Sequence, residues 1–102
     1  MKNNIVACKS KEFALRCIRL YKYLVSEKKE YVMSKQLLRS GTSIGANIKE
    51  ALRGQSKADF YAKMNISLKE ASETEYWLEL LNESGYIENS FLKGYIRTVR
   101  RL

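Results

Sequence analysis

The chain has 102 residues, 45% of them hydrophobic and 29% charged, enough for one domain around one core and too little for a second, catalytic domain. It contains neither histidine nor proline, which removes the commonest general base and metal ligand and leaves little to interrupt helices. Nineteen Lys and Arg against eleven Asp and Glu give a net charge of +8, a balance that favours a polyanionic partner.

Four helical patterns follow one another. The first is expected over about residues 10–28, with Ser10 as its N-cap and Phe13, Cys17, Leu20, Tyr21 and Leu24 spaced by three and four. Lys28 and Lys29 suit its C-terminus. The second, over 33–53, carries Leu37, Leu38, Gly41, Ile44, Gly45, Ile48, Ala51 and Leu52 on one side and stops at Gly54 as at a C′ glycine. Ser56, with Asp59 three positions on, caps the third, over 57–84, which ends before Gly85. The fourth opens near Asn89 or Ser90 and runs through Leu92, Tyr95, Ile96 and Val99 to 102. Connections this short place consecutive helices side by side, so the expected fold is all-α, an antiparallel up-down-up-down four-helix bundle over residues 1–102.

Gly41 and Gly45, four apart on the inward side of the second helix, each cost up to about 1 kcal/mol of helix propensity. Close approach of a neighbouring helix explains them best, with a backbone surface laid open to a ligand as the alternative. Cys8 and Cys17 lie about 13 Å apart along a continuous helix, too far for a disulfide, so both are expected reduced, as small apolar filler. No stretch approaches the roughly 20 apolar residues of a membrane span, and the first nine residues lack a signal-peptide h-region; a cytoplasmic protein without membrane contact is expected.

The segment Leu38-Arg39-Ser40-Gly41-Thr42-Ser43-Ile44-Gly45-Ala46-Asn47-Ile48-Lys49-Glu50-Ala51 resembles the Arg…Ser-Ile-x-x-Asn-Ile-x-Glu-Gly stretch of bacterial four-helix-bundle proteins first noticed in intervening sequences of 23S ribosomal RNA genes. Ser56 to Phe60, Ile66 to Glu73, Glu75 and Leu78 resemble the same family's third helix. Two departures are visible: Ala51 stands where many members have glycine, and Gly54 where a basic residue is frequent. The resemblance implies a cytosolic, non-enzymatic bundle that assembles into a ring, typically a homopentamer. It extends to the accessory protein of diversity-generating retroelements, a basic pentameric barrel that binds nucleic acid and a reverse transcriptase.

Three constellations bear on function. Charge is segregated: residues 1–69 hold fifteen Lys/Arg against five acids, residues 70–88 hold six acids and no base, and residues 89–102 hold four bases and no acid. Within the basic parts, Lys35, Arg39, Lys49 and Arg53 fall on one line of the second helix, opposite Ile44, with Thr42 and Ala46 between them. Lys93, Arg97, Arg100 and Arg101 repeat the pattern on the fourth. These eight are the candidate RNA- or DNA-binding residues, reading phosphates rather than bases; a solvated surface, or one that meets an acidic protein, are the alternatives.

On the third helix, Phe60, Met64, Leu68, Ala71 and Leu78 are expected to form the core stripe, together with Glu75 and Asn82. Ile66, Trp77, Leu80 and Leu81 then form a second apolar band, which predicts a homo-oligomer interface. The acidic set Glu70, Glu73, Glu75, Glu79, Glu83 and Glu88 does not converge from one straight helix, so no metal, cofactor or catalytic site is expected. Glu75, placed in the core stripe, needs a cation, for which Arg16, Arg19 and Lys22 are candidates. The sequence thus reads as a homo-oligomeric adapter that binds nucleic acid, or alternatively as a protein-interaction scaffold.

Overall fold

The computed structural model describes residues 2–102, with side chains from Ile5 onward. Four helices account for most of the chain: α1 Lys2–Ser26, α2 Met33–Leu52, α3 Lys57–Glu83 and α4 Asn89–Arg100. They pack as an all-α four-helix bundle measuring 43 × 22 × 19 Å. The long dimension matches the roughly 40 Å of a 27-residue helix such as α3. At 12 residues, α4 reaches less than half that length and leaves the N-terminal half of α3 uncovered on that side.

α1 starts eight residues before the expected position, and Ser10 is not a cap. It is fully buried in mid-helix, where its hydroxyl donates to the Ala7 carbonyl at 2.9 Å. The local cap signal misleads because a serine that satisfies its hydroxyl within its own helix can sit at a packing interface. That interface is with α2. A Cβ added at Gly45 would lie 3.1 Å from Ser10 Oγ, and one at Gly41 only 2.5 Å from Cys17 Sγ. The two glycines therefore mark the close approach of α1.

The cap of α2 comes from outside the helix. The buried Glu30 carboxylate accepts the backbone N–H groups of Val32 (3.2 Å), Met33 (3.0 Å) and Ser34 (2.7 Å), and Ser34 Oγ donates back to the Glu30 carbonyl at 2.8 Å. Three of the orphan donors of the first turn are satisfied by one side chain. Burial alone would raise the Glu30 pKa, but the three backbone donors outweigh it and hold the carboxyl below its usual range.

At the other end of α2, Gly54 is not in the left-handed region expected of a C′ glycine. Tight space favours glycine there instead: a Cβ would press on the Ala51 carbonyl at 3.1 Å and on the first turn of α3 at 3.3 Å. Ser56 caps α3 as the sequence predicts, accepting the Asp59 N–H at 3.1 Å. Gly85 ends α3 with φ +89°. Gly85 N–H reaches the Asn82 carbonyl (3.0 Å) and Tyr86 N–H the Leu81 carbonyl (2.8 Å), the paired bonds of a Schellman turn.

The core is built from Phe13, Cys17, Leu20 and Leu24 of α1, Leu37, Ile44 and Ile48 of α2, Leu78 and Leu81 of α3, and Tyr95 and Val99 of α4, closed by Ile87. α3 is rotated by roughly 60° from the expected stripe. Its buried line is Ser67, Thr74, Leu78 and Leu81, whereas Leu68 is 66% exposed. Small hydroxyl residues face α2: Ser67 Oγ donates to the Ile44 carbonyl (3.0 Å), and the hydroxyls of Ser40 and Thr74 meet at 2.9 Å. Counting only apolar side chains misses a face whose centre is polar but satisfied.

Candidate nucleic-acid interface

The expected basic line on α2 is interrupted by ion pairing at Arg39. Arg39 turns toward α3, where its guanidinium donates to Glu70 (3.2 Å) and to Glu73. Glu73 also accepts the Trp77 indole N–H at 2.9 Å. The Trp77 and Arg39 donors together hold the Glu73 carboxyl below its usual range, and Glu73 in turn raises the pKa of Arg39. This cluster clamps α2 to α3. Lys35, near the α2 N-terminus, has no ion-pair partner among the described residues.

Lys49 and Arg53 remain at the C-terminal end of α2, and the fold adds a third cation. With α1 drawn close by Gly41 and Gly45, a shallow cleft of about 530 Å³ runs between the two helices, floored by Ala7, Ser10, Ala14, Thr42, Gly45 and Ala46. Lys11 of α1 joins Lys49 and Arg53 along its walls. All three are exposed, and none is ion-paired among the described residues. Glu50, the acid that borders this line in the sequence, is held by Lys63 at 2.8 Å. Sequence periodicity within one helix could not find Lys11, because its role depends on how α1 packs.

The second stripe is also divided. Arg100 pairs with Glu75 at 3.2 Å, so the partner of Glu75 comes from α4 and not from Arg16, Arg19 or Lys22. Glu75 is partly exposed at the edge of the core, with 22% of its side chain accessible. Lys93, Arg97 and Arg101 stay exposed around Leu92 and Ile96 on the outer side of α4. Arg16 is committed to the α1–α4 junction, donating to Thr98 Oγ1 (2.8 Å) with its guanidinium 4.4 Å over the Tyr95 ring.

The four residues of the expected interface band do not share one outward face. Leu81 is fully buried in the bundle's own core, and Trp77 packs against that core; Leu80 is half-buried, and only Ile66, 40% exposed, faces out. Rotation of α3 moves the exposed apolar surface to Leu68. It rims a groove of about 320 Å³ formed with Ile44, Ile48, Met64, Val99 and Leu102 where α4 ends. Of the acidic set, Glu70 and Glu73 pair with Arg39 and Glu75 with Arg100, and no three His, Cys, Asp or Glu side chains are grouped so as to hold a metal ion among the described residues. Both cysteines are free; Cys17 is buried filler, whereas Cys8 is exposed.

A model of the 23S rRNA-intervening sequence protein family matches residues 2–102. The chain belongs to that family. As a 23S rRNA-intervening sequence protein it is similar to a crystal structure from Bacteroides thetaiotaomicron, a protein of unknown function from the S23 ribosomal protein family. The two share 58% sequence identity and superpose with a TM-score of 0.96, over 99% of this chain and 90% of the other. No curated protein matches this chain. No helix among the described residues is long and apolar enough to cross a membrane.

Proposed function

We propose that this 23S rRNA-intervening sequence protein is a non-enzymatic, cytoplasmic adapter that assembles into a homo-oligomeric ring of five subunits and binds RNA or DNA through phosphate contacts. The observation that carries the reading is the α1–α2 cleft, where Lys11, Lys49 and Arg53 line one trough with no ion-pair partner among the described residues. Unpaired cations along one trough suit an extended polyanion, and contacts of this kind give affinity without base recognition. Lys93, Arg97 and Arg101 supply a second such surface. Assembly is supported by the open groove beside Leu68, an apolar surface that a second copy would cover. A ring repeats each weak phosphate contact and raises affinity through effective concentration.

Fluorescence anisotropy with labelled polynucleotides tests this reading. A polynucleotide long enough to touch several subunits binds more tightly than a short one, and light scattering gives a mass well above the 11.9 kDa subunit, lowered by Leu68→Glu. A monodisperse monomer at concentrations on the order of tens of micromolar contradicts the ring. Absence of binding to either nucleic acid at about 50 mM salt contradicts the nucleic-acid reading. Recovery of an acidic protein instead would favour the scaffold alternative.

A further inference from the structure

At the opposite end of the bundle from Lys49 and Arg53, a cleft of about 650 Å³ opens between the C-terminal half of α1, the α3–α4 turn and the start of α4. Its character differs from that of the α1–α2 trough. Tyr23 and Phe91 are 43% and 45% exposed, and Tyr86 adds a third, partly buried aromatic residue. Phe91 is already half of a stack: its ring lies on Tyr95 with centroids 5.1 Å apart and planes at 15°. Tyr95 is fixed in turn, its hydroxyl donating to the Arg16 carbonyl at 2.9 Å and Phe13 meeting it edge-on at 5.9 Å. The platform is thus preorganised on two helices.

Two cations, Arg19 and Lys28, line the same cleft; neither is ion-paired among the described residues, and Lys28 Nζ lies 6.0 Å from the Tyr23 ring centroid. Glu88 is the one acid among the lining residues. Exposed aromatic faces next to unpaired cations match an unpaired nucleobase and its phosphate, because stacking onto a ring is sequence-tolerant while the cations hold the backbone. A duplex hides its base faces within its own stack and gains nothing from such a platform. Arg19 lies about 12 Å along α1 from Lys11.

We infer that the Tyr23–Phe91 cleft stacks an unpaired base of single-stranded RNA or DNA, so that the protein prefers single strands to duplexes. This rests on the nucleic-acid reading above, which supplies the phosphate contacts.

The test is anisotropy of labelled oligo(U), oligo(dT) and a random duplex with the full chain, comparing wild type with Tyr23→Leu/Phe91→Leu, which keeps apolar bulk but removes both ring faces. The inference predicts a loss of about tenfold or more on the single strands, with duplex affinity unchanged within about twofold. A preference for oligo(U) or oligo(dT) identifies RNA or DNA as the source of the base. Equal affinity of wild type and variant for the single strands overturns the inference while leaving the phosphate reading intact. Equal loss on all three ligands, or a change of oligomeric mass in the variant, overturns it too, by assigning the rings to folding or to subunit contact. Wild type that binds none of the three overturns both readings. Photocrosslinking of 5-iodouridine RNA to wild type gives a readout independent of variant folding: adducts at Tyr23 or Phe91 support the cleft, and adducts confined to other residues overturn it.

Discussion

Gly41 shows how much one missing methyl group decides at the residue scale. A Cβ would sit 2.5 Å from Cys17 Sγ and 3.1 Å from Cys17 Cβ, both buried on the facing helix, so accommodating it requires the Cys17 thiol to turn within the core or α1 to give way. Alanine gains about 1 kcal/mol of helix propensity but overpacks a filled contact, which costs about 1–3 kcal/mol. Gly41→Ala is therefore expected to lower stability in urea melts, and more than Gly45→Ala, whose new Cβ meets the smaller Ser10 hydroxyl at 3.1 Å. The same packing governs the thiols. Burial pushes the Cys17 pKa up to about 12 against the smaller opposing effect of Arg16, so no reactive thiolate forms near neutrality. At about pH 8 a thiol reagent should modify one cysteine of the native protein, the exposed Cys8, and both after unfolding.

Among the elements, the start of α2 has the most unusual origin. Glu30 lies outside the helix and caps it through three backbone N–H groups. Glu30→Ala is expected to cost about 1–2 kcal/mol. Because the folded pKa is depressed, the carboxylate's contribution is complete above the unfolded carboxylate range and is lost as pH falls through the lower folded value. The stability gap between wild type and Glu30→Gln should accordingly be constant near neutrality and narrow below about pH 4. A gap that does not change on acidification contradicts the cap. Most of the helical architecture was legible in the sequence, since the three-and-four spacing, the Ser56 cap and the breaks at Gly54 and Gly85 are local signals. What was not legible depends on partners distant in sequence. Ser10 reads as a cap until α2 lies against it. Leu68 reads as core because Ser67 and Thr74, which hold the centre of the buried face, are polar. Arg39 and Arg100 read as free cations because nothing in their own helices reveals Glu70, Glu73 and Glu75 opposite them.

For the whole molecule, a net charge of +8 is less informative than which cations the fold leaves unspent. Glu70, Glu73 and Glu75 neutralise Arg39 and Arg100, so of the two expected basic stripes the cations left unpaired among the described residues gather mainly at the α1–α2 trough and on the outer side of α4. Charge reversal at Arg39 or Arg100 would break helix-to-helix pairs and confuse folding with binding. Lys11, Lys49 and Arg53 are free of that ambiguity. The most direct measurement is the salt dependence of polynucleotide binding by wild type and by Lys11→Gln/Lys49→Gln/Arg53→Gln, with circular dichroism to verify the fold. The variant is expected to bind all sequences more weakly to a similar degree, and its log–log salt slope to flatten by about one for each phosphate it no longer neutralises. An unchanged affinity and slope in a folded variant would contradict phosphate binding in the trough.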